Sequence, residues 1–215
     1  MGCAACSGQN LYTTPRTLDD GDIQVIAAPE YAFRTRASKR PDPGPSGDDA
    51  TGALPSMTGA LHAGLRGGAG GRGEVGLHTN FGSFGIDGKW NAVRTEHFDL
   101  ALLARLTASL LPTQPVHGLY RNEAGVSTFL QLPVLLGFNI DPLTFVLSPG
   151  GATLLDAQGR ITQGVRMGAA IQLRITSRFA LQPETSWMRE VAGPTDMGLA
   201  TVGLGILFLH QAKYD

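Results

Sequence analysis

No run of this chain is long and apolar enough to cross a membrane as a helix. Such a span needs about 20 apolar residues in succession; the longest greasy stretch, Phe129 to Phe138, is interrupted by Gln131 and Pro133. Charge is scarce as well. Asp, Glu, Lys and Arg make up 16% of the residues and the net charge is −1, so the basic footprint that a nucleic-acid partner requires is missing. Cysteine is confined to Cys3 and Cys6, too close to the terminus to staple a core, and no second Cys/His cluster follows to complete a zinc site. Neither a metal nor any other cofactor is expected.

What the chain has is glycine, 29 of 215 residues, and a mean hydropathy of +0.00 carried on a period of two. Val165, Met167, Ala169, Ile171, Leu173 and Ile175 alternate with Arg166, Gly168, Ala170, Gln172 and Arg174, giving one greasy and one polar face. The same pattern runs over His97 to Leu110 and Ile23 to Phe33. Weaker versions lie near 57–66, 74–82, 84–93, 126–138, 142–149, 178–189 and 197–209. About ten strands of this kind predict an all-β fold, an antiparallel up-and-down transmembrane β-barrel, because a barrel strand crosses a bilayer with only about 9 to 11 residues.

The connections alternate in length as they do in outer-membrane barrels, which have short periplasmic turns and longer loops at the opposite end. Gly67 to Gly73, Thr95-Glu96, residues 139–142 and Thr176-Ser177-Arg178 are short, whereas Arg36 to Ser56, Pro112 to Gly125 and Gly150 to Ile161 are long; the connection near Gly82-Ser83 is the exception, tight where a long one is expected. The reading divides the chain into a flexible periplasmic tail at 1–20, a barrel at 21–210 and a C-terminal tail at 211–215. An even strand number puts both termini on the periplasmic side, and Arg36 to Ser56 is expected as an exposed loop on the other. Inward glycines such as Gly76, Gly137, Gly168, Gly203 and Gly205 would relieve a crowded lumen.

The segments Leu61 to Arg66, Phe98 to Leu102, Phe179 to Glu184 and Val202 to Phe208 resemble the strand units of small proteobacterial outer-membrane barrels. That resemblance implies a bacterial outer-membrane location, with outer-membrane lipid and an envelope protein complex as partners. Met-Gly-Cys and Ala-Ala-Cys resemble the small-residue end of a bacterial lipobox, which makes Cys3 and Cys6 candidates for lipidation; an unmodified tail is the plainer alternative.

On this alternation the lumen carries a polar network of Glu30, Arg34, His62, Arg66, Asp87, Lys89, Arg105, Gln131, Arg166, Gln172, Arg174 and Glu184, with His78 and Asp99 of the same parity. Mixed signs in a narrow barrel favour a plug of ion pairs over an open channel. Arg105, Arg166 and Arg174 define the alternative, a narrow anion-favouring passage or small-ligand site. A hydrolase is the third reading, but His97 and Ser109 lie roughly 30–40 Å apart along one strand, beyond proton-transfer distance, so no catalytic residue is assigned. The aromatics Tyr31, Phe33, Phe84, Trp90, Phe98, Phe138, Phe179, Trp187 and Phe208 are expected as lipid-side anchors near strand ends. The role expected is a structural or complex-forming scaffold with a largely plugged lumen.

Overall fold

The computed structural model describes residues 10–36, 58–80, 82–109, 126–156, 159–193 and 198–211. Eleven strand segments follow one another: β1 (Ile23–Arg36), β2 (Thr58–Gly68), β3 (Gly73–Asn80), β4 (Ser83–Arg94), β5 (Phe98–Ser109), β6 (Ser127–Ile140), β7 (Leu143–Leu147), β8 (Gly150–Leu155), β9 (Ile161–Arg174), β10 (Phe179–Ala192) and β11 (Gly198–His210). Both β7 and β8 pair with β6 on one side and β9 on the other, so together they form one stave broken at Ser148-Pro149. Ten antiparallel staves result, and β1 pairs with β11 to close the ring.

The polarity of the two faces is inside out relative to a water-soluble barrel. Along β4, Ser83, Asp87, Lys89 and Asn91 are buried while Phe84, Ile86 and Trp90 are exposed. Leu102, Met167 and Ile171 face outward at 48%, 49% and 42% exposure, as strict alternation predicts, and Arg105 and Arg166 are buried inside. A continuous apolar exterior would be unstable in water and is what a lipid environment selects. Aromatic rings mark its borders: Phe98 against Phe138 and Phe179 against Phe208 at one end, with centroids 5.4 and 5.2 Å apart, and Tyr31, Phe84 and Trp187 toward the other.

The end that carries the start of β1 and the end of β11 also carries the short turns at 69–72, 95–97, 141–142 and 175–178, the arrangement that outer-membrane barrels have at their periplasmic end. At the opposite end Asn80 and Ser83 close a tight hairpin between β3 and β4. Nearly all of the expected loop from Arg36 to Ser56 lies outside the described residues, as does all of Pro112 to Gly125.

Two boundaries differ from the sequence reading. Gly150 to Ile161 is not one long connection, because Gly150–Leu155 continue the stave and the loop shrinks to 156–160. Pro149 has no N–H to give, yet its carbonyl accepts from Val134 N at 2.8 Å and carries the pairing across the break. The N-terminal residues differ more. Residues 10–20 do not form a free tail: Asn10, Leu11, Tyr12, Thr13 and Thr17 are among the most buried in the chain.

Candidate functional site

From the periplasmic rim, where Asp19 O accepts from Asp22 N, the chain read backward climbs through the lumen to Asn10. It is clasped on the way. Leu18 N donates to Glu74 at 3.1 Å, and Arg16 pairs with Asp99 at 3.1 Å. Higher up, the Lys89 ammonium donates to Thr13 Oγ1 and Thr14 O, both at 2.9 Å, and to Arg16 O at 3.2 Å, while Asn91 Nδ2 donates to Pro15 O at 3.0 Å.

At its inner end the segment lies between walls of opposite sign. Leu11 N and Tyr12 N donate to the two oxygens of Glu184 at 2.6 and 2.7 Å. On the other side Arg105 donates to Asn10 O at 2.8 Å and to Leu11 O at 3.0 Å, and Arg66 adds a bond to Leu11 O at 3.3 Å. Two consecutive N–H groups converging on one carboxylate form a backbone nest, and Tyr12 takes the left-handed conformation this needs, at φ 46°. A non-glycine residue there is strained by about 1–2 kcal/mol, which the surrounding bonds offset.

Side-chain space is cut to fit. A Cβ on Gly205 would come within 2.8 Å of the Tyr12 ring, one on Gly203 would overlap the Tyr12 hydroxyl, and one on Gly137 would come within 2.7 Å of Pro15 Cγ. Tyr12 tilts against His62 at 5.3 Å and accepts from Asn10 Nδ2 at 3.2 Å.

The cationic wall is an ion-pair chain across β2 to β5. Lys89 meets Glu74 at 2.8 Å, Glu74 meets Arg66 at 3.0 Å, Arg66 meets Asp87 at 3.0 Å, and Asp87 reaches Arg105 and His78 at 3.5 Å. Strand register explains the order: Gly76 faces Asp87 across β3 and β4, and Asp87 faces Arg105 across β4 and β5. Gly76 leaves the room Asp87 occupies, since a Cβ there would stand 2.6 Å from the carboxylate.

Of the residues assigned to the lumen from sequence, Glu30, His62, Arg66, Asp87, Lys89, Arg105, Gln131, Arg166 and Glu184 are all buried. Gln172 is half-buried and reaches Gln182 at 3.5 Å. The side chain of Arg34 lies outside the described residues. Arg174 has the inward parity but stands at the periplasmic rim, its side chain 59% exposed, paired with Asp141. The anion passage is therefore not assembled. Arg166 and Arg174 are eight positions apart on β9, about 27 Å along the strand; Arg166 donates to Ser148 and Arg105 is taken up by the segment and Asp87. Alternation would also have located Glu74, Asn91, Gln182 and Glu190, each two residues from an inward position. Nothing local announces Asn10 to Leu18, which has no strand period.

Thr107, His78 and Asp87 form a hydroxyl–imidazole–carboxylate string, Nε2 of His78 lying 2.9 Å from Thr107 Oγ1. It is not a hydrolase centre. Asp87 is committed to Arg66 and Arg105, and Thr107 sits in a regular ladder between Gly85 and Phe129, where backbone N–H groups are spent on neighbouring strands. Among the described residues no group of His, Cys, Asp and Glu is arranged to hold a metal. Below the segment an open vestibule of about 850 Å³ faces the periplasm, lined by Arg16, Asp22, Gln24, Asn139, Thr144 and Gln172 among others.

No protein-family model and no curated relative matches the chain. Solved structures do. An outer membrane channel from Pseudomonas putida F1 superposes with a TM-score of 0.53 at 9% identity, covering 91% of this chain and 97% of that one. Ail, the attachment invasion locus protein of Yersinia pestis, gives a TM-score of 0.41 at 10% identity over 89% and 99% of the two chains. At 9% identity the likeness to the Pseudomonas putida channel is one of fold, a transmembrane β-barrel, and it agrees with the apolar exterior.

Proposed function

We propose that this barrel serves the bacterial outer membrane as a sealed, complex-forming scaffold, its lumen closed by its own N-terminal segment. The observation that carries the reading is the double clasp of Leu11 and Tyr12 between Arg105 and Glu184, on strands from opposite walls. A rigid barrel blocked at that level has no through-passage to serve, and its recognition surfaces are then the loops it holds at its rim. Planar-bilayer recording of the purified full-length protein tests this. Silence at moderate voltage is expected, and a steady conductance in the wild type would overturn it.

Acylation at Cys3 or Cys6 is part of the same proposal. Both precede Asn10 and lie outside the described residues. Fully extended, four residues reach at most about 14 Å and seven about 25 Å, so with Asn10 held in the lumen Cys3 has the longer reach to a membrane surface. Metabolic labelling with palmitate, with each cysteine changed to Ser in turn, decides between them, and no label in the wild type removes the proposal.

A further inference from the structure

We infer that the lumen is a binding site for a peptide segment of a partner protein, and that residues 10–18 occupy it as a tethered ligand; the inference rests on the sealed reading above. The contacts are of the kind a receptor makes with a peptide main chain. Glu184 takes two backbone N–H groups, Arg105 takes two carbonyls, Lys89 takes the carbonyls of Thr14 and Arg16, and Asn91 takes that of Pro15. These bonds read the main chain, and a few others read side chains: Lys89 donates to Thr13 Oγ1, Thr201 Oγ1 to Asn10 Oδ1, and Asp99 pairs with Arg16. Space adds selectivity: the gap over Gly205 accepts the Tyr12 ring and the gap over Gly137 accepts Pro15.

The ligand so defined is a peptide whose backbone turns left-handed at an aromatic residue and that carries proline three positions later. The lumen is charged where the peptide is merely polar. A carboxylate faces the N–H edge of the backbone and guanidinium groups face its carbonyl edge, a complementarity that a hydrophobic ligand or a free ion would leave unused. A tether raises the local concentration of residues 10–18 to the millimolar range, so a partner segment competes only when the resident one is loosened.

The test uses the full-length chain carrying L11P and Y12G, which removes the Leu11 N–H and the aromatic ring while leaving every lumen residue in place. Folding is confirmed by the SDS-resistant band on an unheated gel. The probe is a fluorescent peptide of residues 10–18, capped at both ends, followed by anisotropy. Saturable binding to the variant is expected, at least tenfold weaker binding to the wild type, and at least a tenfold loss when the variant also carries G205V. A folded variant that ignores the peptide, or that binds a scrambled one equally well, overturns the inference and leaves the sealed reading intact; conductance in the wild type removes the sealed reading by itself. If the double variant does not fold, the full-length Y12A chain carries the same comparison with the same outcomes.

Discussion

Arg105 and Glu184 hold opposite edges of the same peptide unit: the guanidinium donates to Asn10 O at 2.8 Å while the carboxylate accepts from Leu11 N at 2.6 Å. Neither bond alone would fix a chain in a water-filled lumen. Together, and repeated on the next peptide unit, they set both the height and the rotation of the segment.

Glu184→Gln keeps the shape but leaves one acceptor oxygen for two N–H groups. Hydrogen bonds to charged groups contribute about 1.5–3 kcal/mol each, so we expect a lower urea midpoint together with new tryptic cleavage after Arg16. Protection at Arg16 with an unchanged midpoint would contradict the clasp.

Arg105→Ala removes both carbonyl contacts and leaves Asp87 to Arg66 and His78. Breaking a buried charge network of this kind costs about 3–5 kcal/mol where water is excluded and less where it enters. Intermittent conductance is expected in bilayer recordings of the variant, and lasting silence would show that Glu184, Lys89 and Asn91 hold the segment without Arg105.

Gly137→Val should act on Pro15 alone. The added side chain meets the pyrrolidine ring, and overpacking of this sort costs about 1–3 kcal/mol. Brief openings with an intact SDS-resistant band are expected; loss of the band would mean that the glycine serves the strand and not the segment.

Met167→Arg probes the outside. On the lipid face near mid-barrel a charge costs about 2–4 kcal/mol, and less assembled protein in the membrane fraction is the expected result. Asp141→Asn is its control. The pair with Arg174 is exposed on both sides, and such pairs contribute about 0–1 kcal/mol, so stability should hardly move.

The alternation of Val165 to Ile175 or of Phe98 to Ser109 was enough to read the fold, because a two-residue period has only one consistent set of faces once the exterior is known to be apolar. The wall of the site was legible for the same reason: Asp87, Lys89 and Arg105 follow from parity. The segment that fills it was not. Asn10 to Leu18 carries no period, its bonds run mostly through the backbone, and backbone groups look alike in every sequence. Its trace in the sequence lay at a distance, in Gly137, Gly203 and Gly205, which point inward but cannot by themselves say what fills the room they leave.

The hairpin at Asn80 and Ser83 leaves β3 with 8 residues, whereas β9 has 14. Six residues amount to about 20 Å along a strand, so the wall is low on one flank. A bilayer touching this protein therefore meets a belt of uneven height, and it must thin or tilt beside β3 to match it. Lipid chains beside β3 therefore have the shortest apolar wall to cover.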